Sequence, residues 1–181
     1  MPGFAGGNEW AGMAADRKGT IYANVANGAS MAHMVDNSAA MNSPNRNTAA
    51  GGQNGVPNLH YAFTGYGGRF TLPNGESAIS EPLATLNAVD LNTGKYRWKI
   101  PFKAGYSGSG PVVTASGLLF ISSGNTLQAY DTTDGKVLWN QQLPAMTGNT
   151  AAVYMVDGKE YVTLASGGRG DAAYVAYALP N

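Results

Sequence analysis

An eleven-residue signature occurs twice in this 181-residue chain, 41 positions apart, and nothing else in the sequence limits the fold so strongly. Residues 88–98 read Ala-Val-Asp-Leu-Asn-Thr-Gly-Lys-Tyr-Arg-Trp, and residues 129–139 read Ala-Tyr-Asp-Thr-Thr-Asp-Gly-Lys-Val-Leu-Trp. Asp90 and Asp131, Gly94 and Gly135, Lys95 and Lys136, and Trp98 and Trp139 share that offset. A period near forty residues, with β-type sequence on both sides of a glycine turn, is the pattern of four-stranded propeller blades. Such a unit cannot bury its own faces, so neighbours must stack on it.

The repeat extends beyond the signature. Residues 110–121 align without a gap, again at 41, with residues 151–162, and a looser copy opens the chain at Gly12–Ala23. Each stretch reads as a strand, a turn closed by glycine, and a second strand, enriched in Val, Ile, Phe and Tyr. The fold class is therefore all-β, with propeller blades of four antiparallel strands in one partial domain over 1–181. The expected boundaries are blade 1 over about 10–100, with an insertion over about 27–82, blade 2 over about 108–142, and an incomplete blade 3 over about 149–179. The first half of the insertion, Asn27 to Pro57, shows little periodicity and is expected to be a loop, mobile or covering a ligand. About three blades cannot close a ring that needs four to eight. The expectation is a C-terminal part of a larger protein whose N-terminal blades are missing here, or the product of a truncated gene.

Composition removes several function classes. Formal net charge is zero and Lys and Arg are scattered, so a nucleic-acid or anionic-membrane partner has no electrostatic support. The absence of Cys excludes disulfides and thiolate metal sites within the chain. No apolar run approaches the roughly 20 residues of a membrane helix. With 44% hydrophobic residues and 25 Gly, the chain has the makings of a packed, turn-rich β protein.

Few residues stand out as candidates for chemistry. Asp90 and Asp131 resemble a carboxylate pair, but an Asp four residues before a Gly is better explained as a turn former that accepts backbone N–H bonds. His33 and His60 have no metal-ligand spacing, and no residue pattern marks a metal site or a catalytic base. Glu9 sits beside Trp10 among small and apolar neighbours, where an unpaired carboxylate is costly and points to a function. Trp10 fits blade packing and ligand contact equally well. Trp98 and Trp139 read as structural, each buried between blades.

The signature Ala-x-Asp-x-x-Thr-Gly-Lys-x-x-Trp resembles the tryptophan-docking motif of pyrroloquinoline quinone (PQQ)-dependent dehydrogenases. In that family each Trp stacks on the signature of the neighbouring blade of an eight-bladed propeller. The copy at 88–98 matches in full, and Asp134 stands where the second copy would have Thr. The order of segments is similar too: Gly6-Gly7-Asn8-Glu9-Trp10 looks like the family's Gly-Gly-x-Glu/Asn-Trp segment, and residues 63–66, 85–90 and 170–180 look like its later stretches. The resemblance implies a periplasmic quinoprotein that oxidises a sugar or alcohol, holds PQQ with calcium, and passes electrons to a quinone or cytochrome. It implies cofactor contact for Glu9 and Trp10. The family's base and calcium ligands belong to earlier blades, so the isolated chain is expected to be inactive. The docking repeat alone also fits a non-catalytic propeller that serves as a protein-binding scaffold, as in the barrel-assembly lipoproteins.

Overall fold

The computed structural model describes residues 7–8, 11–36, 61–102, 109–145, 147–167, 170 and 172–178. The chain divides into two compact units, one of residues 1–5 and 28–80, the other of residues 6–27 and 81–181. The larger unit opens with β1 (Ala14–Ala15) and β2 (Thr20–Ala26). In the smaller unit, β3 (Ser30–Asp36) and β4 (Tyr61–Arg69) form an antiparallel pair. The expected loop over 27–57 is thus corrected at residues 30–36, and residues 37–57 lie outside the described set. The physical reason is pairing: Tyr61–Arg69 carries the strand formers Tyr, Phe and Thr, and its backbone edge recruits a partner of weak intrinsic preference.

Back in the larger unit, β5 (Ala84–Asp90) and β6 (Tyr96–Pro101) complete a four-stranded sheet in the order β1-β2-β5-β6. A second sheet follows in sequence order: β7 (Val112–Val113), β8 (Leu118–Ser123), β9 (Thr126–Asp131) and β10 (Val137–Gln142). The third contains β11 (Ala152–Val156), β12 (Lys159–Ser166) and β13 (Ala173–Ala178). All pairings are antiparallel. The described residues contain strands and turns and no helix, so none is long and apolar enough to cross a membrane. The all-β class and the four-stranded antiparallel blades are as the repeat predicts.

The signature turns are built as their residues dictate. Asp90 Oδ1 accepts the amides of Asn92 (2.8 Å) and Thr93 (3.3 Å), and Asp131 Oδ1 accepts that of Thr133 at 2.7 Å. Gly94 and Gly135 close the turns at φ 67° and 75°, a region that side chains disfavour. Arg97 pairs with Asp90 at 2.9 Å, and this bond, with the two amides, holds the Asp90 carboxyl below the usual range. Both carboxylates are consumed by their own turns.

The inner hairpins depart from a gapless alignment. Val112 pairs with Phe120 in the second sheet, whereas Val153 pairs with Val162 in the third, a shift of one from the 41-residue offset. Turn chemistry sets this difference. Asp157 and Gly158 have φ of 48° and 77°, the two positive values of a two-residue hairpin turn, and the second sheet spans residues 114–117 instead.

The sheets stack through two cores. Tyr22, Leu86 and Ala88 of the first sheet pack with Leu119, Ile121 and Tyr130 of the second. Phe120, Leu127 and Ala129 then pack with Val162 and Leu164 of the third. Alternate residues of β8 thus face opposite neighbours, which explains its continuous run Leu-Leu-Phe-Ile. Each fully buried Leu or Ile contributes about 1.5–3 kcal/mol.

One cross-strand row explains the signature's Ala and Trp. Tyr22 pairs with Ala88 and Ala88 with Trp98, so the small Ala lets two rings meet over it, centroids 5.8 Å apart. Trp98 also crosses to the second sheet, where Nε1 donates to the Thr132 carbonyl at 3.0 Å. A Cβ at Gly135 would lie 3.0 Å from Trp98 Cδ2. Trp98 therefore docks on the next copy of its own signature. Trp139 does not match it: its ring meets Tyr177 edge-on at 5.5 Å, but 36% of the residue stays exposed. The expected burial is corrected because β13 presents Tyr177 and no described signature turn to cover the ring.

Candidate functional site at the lead-in to the inner strands

The first strands of adjacent sheets, β1 and β7, lie side by side, and the segments leading into them gather at one end of the larger unit. Those segments are unusually polar. Asn8 Nδ2 donates to the Asn24 carbonyl at 2.8 Å and to the Gly12 carbonyl at 3.3 Å. Asn24 Nδ2 donates to the Ser109 carbonyl at 3.0 Å, and Ser109 Oγ donates to the Asn149 carbonyl at 3.0 Å. Gly110 N–H donates to Thr150 Oγ1 at 3.0 Å, and Ser122 Oγ reaches the Asn149 carbonyl at 3.3 Å. Each sheet is thereby tied to the next through side chains that satisfy backbone carbonyls.

Burial makes this belt more than a surface network. Asn24 is 3% exposed, Ser109 and Ser122 1% each. A buried amide or hydroxyl without a partner costs roughly 1–3 kcal/mol, so these bonds are required for the sheets to meet here. Asn8 is half-buried and Asn149 and Thr150 are exposed, which leaves amide and hydroxyl groups facing solvent at the rim.

Glu9 and Trp10, the predicted cofactor contacts, lie outside the described residues; Asn8 and Ala11 flank them. Sequence reasoning missed Asn8, Asn24, Ser109 and Thr150. One signal existed: Ser109 and Thr150 are 41 apart, a hydroxyl at the same repeat position. Asn24 carried none, because a lone Asn within a strand pattern does not reveal its partner 85 residues away.

The opposite end carries the charged turns. A groove of about 530 Å³ there is lined by Asp16, Arg17, Lys18, Thr114, Ser116 and Thr132. Asp16 serves its own turn, accepting from the Lys18 amide (2.9 Å), the Thr20 amide (2.8 Å) and the Tyr22 hydroxyl (2.9 Å). Burial opposes its ionisation, but those bonds outweigh it and hold the carboxyl below the usual range.

A planar, anionic quinone with a metal needs hydrogen-bond donors, ring-stacking surface, carboxylates for the metal and a base. The belt meets the first requirement only at its exposed rim, where the Thr150 hydroxyl and the Asn149 amide lie, because its buried donors are spent on backbone carbonyls. Among the described residues no group of three metal-ligating side chains is present, and none of those in the belt is a carboxylate. The belt thus fits one wall of such a site and not a complete one.

Comparison with known proteins extends this picture. The family model for the PQQ glucose/ethanol/alcohol dehydrogenase β-propeller domain matches residues 1–162. The quinoprotein glucose dehydrogenase of Escherichia coli (strain K12) is 34% identical over 122 residues, covering 53% of this chain and 15% of that protein. The glycerol dehydrogenase large subunit of Gluconobacter thailandicus is 26% identical over 220 aligned positions, covering 99% of this chain and 29% of that protein. Among solved structures, the quinohemoprotein alcohol dehydrogenase from Comamonas testosteroni superposes with a TM-score of 0.64 at 23% identity, over 92% of this chain and 23% of that one, a likeness of fold. The chain spans less than a third of the length of each of these proteins.

Proposed function

Because the chain belongs to the PQQ glucose/ethanol/alcohol dehydrogenase β-propeller family, we propose that it forms the C-terminal blades of an enzyme that oxidises the hydroxyl of a sugar or alcohol. PQQ, when bound with calcium, supplies the two-electron acceptor for that oxidation. This chain's contribution is one wall of the site. Glu9 and Trp10 contact the cofactor from a segment that Asn8 holds on the first sheet, and the amide and hydroxyl groups of the rim orient anionic groups. The electrons leave to a quinone or cytochrome, in the periplasm. The base and calcium ligands come from other blades, so the isolated chain does not turn over substrate.

The observation that carries this reading is the family match over residues 1–162, in a chain whose Gly7 and Asn8 meet the first sheet beside the polar belt. The docking repeat alone also fits a protein-binding scaffold, but a scaffold would have no use for the Gly-Gly-x-Glu-Trp sequence at residues 6–10. The test is a titration of PQQ with calcium into the chain, followed by tryptophan fluorescence, with Trp10→Ala as comparison. Saturable quenching that Trp10→Ala abolishes is expected. Equal quenching in both removes Trp10 from the site, and dye reduction with glucose or ethanol above a heat-killed control would overturn the predicted inactivity.

A further inference from the structure

We infer that Gly110 is a positioning residue for the lead-in around Asn8 and Ala11, setting how closely Ala11 seats beside the second sheet, with Asn8 tying the lead-in to the first sheet and Thr150 holding Gly110 from the third. A Cβ built at Gly110 would run into the carbonyl oxygen of Ala11, and would lie 2.8 Å from the Ala11 carbonyl carbon and 2.9 Å from Thr150 Oγ1. The two Ala11 atoms are backbone and cannot swing aside as a side chain does. The φ of Gly110 lies outside the left-handed region, so close approach of another segment, and not conformational freedom, is what calls for glycine. Gly94, Gly124 and Gly158 are the opposite case, with positive φ and nothing within 4 Å of an added Cβ.

The surroundings make Gly110 a junction of three sheets. The lead-in is pinned to the first sheet by the Ala26 amide, which donates to the Gly7 carbonyl at 2.6 Å, and by Asn8 Nδ2 on the Asn24 carbonyl. Its Ala11 carbonyl rests on Gly110 of the second. Gly110 in turn donates its amide to Thr150, two residues before β11 of the third. A methyl group at this one position would have to lift the lead-in, displace Thr150, or part the first two sheets. Its effect on cofactor binding rests on the reading given above, because Glu9 and Trp10 lie between Asn8 and Ala11 in the sequence.

The seating itself has a reporter that needs no cofactor. The Ala26 amide is protected from hydrogen exchange by Gly7, so lifting the lead-in exposes it, while the Asp131 amide, bonded to the Lys136 carbonyl at the far end, serves as control. In the full 181-residue chain, Gly110→Ala is expected to speed exchange at Ala26 about tenfold or more, with Asp131 unchanged. It should weaken PQQ quenching in the same proportion. Thr150→Val, which removes the acceptor for Gly110 N–H, should shift both readouts in the same direction, and Thr150→Ser should restore them. Unchanged exchange at Ala26 in Gly110→Ala overturns the inference, even if PQQ affinity falls. Faster exchange with no PQQ binding in any variant upholds the seating and defeats the cofactor reading. If Gly110→Ala fails to fold, the Thr150→Val and Thr150→Ser pair decides by the same readout, and identical Ala26 exchange in those two overturns it.

Discussion

Trp98 and Trp139 occupy the same position of the same motif, yet they should differ in energetic weight by about 1 kcal/mol, the share of one hydrogen bond. Complete removal of a buried Trp costs about 3–5 kcal/mol. Trp98 is half-buried, which brings its packing share to about 2–3 kcal/mol, and its N–H bond to Thr132 adds about 1 kcal/mol, so Trp98→Ala should lose about 3–4 kcal/mol. Trp98→Phe retains a ring over Ala88 and forfeits chiefly that bond, for about 1 kcal/mol. Trp139 is 36% exposed, its N–H has no acceptor among the described residues, and its described ring partner is Tyr177. By the same scaling its partly buried ring, with one edge-on partner, carries about 2–3 kcal/mol, so Trp139→Ala should lose about 1 kcal/mol less than Trp98→Ala, the share of the missing N–H bond. Urea unfolding followed by far-ultraviolet circular dichroism measures all three, with the slope checked for constancy. Equal losses for Trp98→Ala and Trp139→Ala would refute the claim that docking on the next signature, and not membership of the motif, supplies the extra stability.

The glycines of the two signatures give a related comparison. Gly94→Ala and Gly135→Ala share a left-handed strain of about 1–2 kcal/mol, but only at Gly135 would the methyl sit 2.7 Å from Ile100 Cδ1 and 3.0 Å from Trp98 Cδ2, adding about 1–3 kcal/mol of overpacking. Thermal melts of the two variants should separate by that difference, and coincident melts would show that Trp98 can move away freely. Acid behaviour tests the Asp16 turn. Its folded carboxyl titrates below the unfolded value of about 3.9, so its stabilisation is full above that pH and is lost as pH falls through the folded value. The stability gap between the wild-type chain and Asp16→Asn should therefore close as pH drops below about 4, and a gap that stays constant there would mean the bonds from Thr20, Tyr22 and Lys18 do not distinguish the charged form.

Residues 88–98 and 129–139 carry their local structure in full view of the sequence. A carboxylate that caps the amide two residues on, followed by a glycine at positive φ, is satisfied within its own eleven residues, and needs no neighbour to form. The same is true of strand alternation, so the all-β class and the four-stranded sheets were legible, as was the structural use of Asp90 and Asp131. Register in the third inner hairpin was less so, because a two-residue Asp157-Gly158 turn and a four-residue turn look interchangeable when only the offset is counted.

Everything that depends on what lies across the gap between sheets was decided by tertiary structure. Trp98 is covered because Thr132 and Gly135 meet it, whereas Trp139 carries the same sequence mark and remains exposed. Strand β3 exists because β4 pairs with it. Asn24 and Ser109 became parts of a candidate site only once segments 85 residues apart were brought within 3.0 Å. Gly110 reads as one more turn glycine, until the Ala11 carbonyl is found where its side chain would be. Local hydrogen bonding is a property of a few consecutive residues and can be read from them, but burial and close approach belong to pairs of surfaces, and only the folded chain determines which surfaces meet.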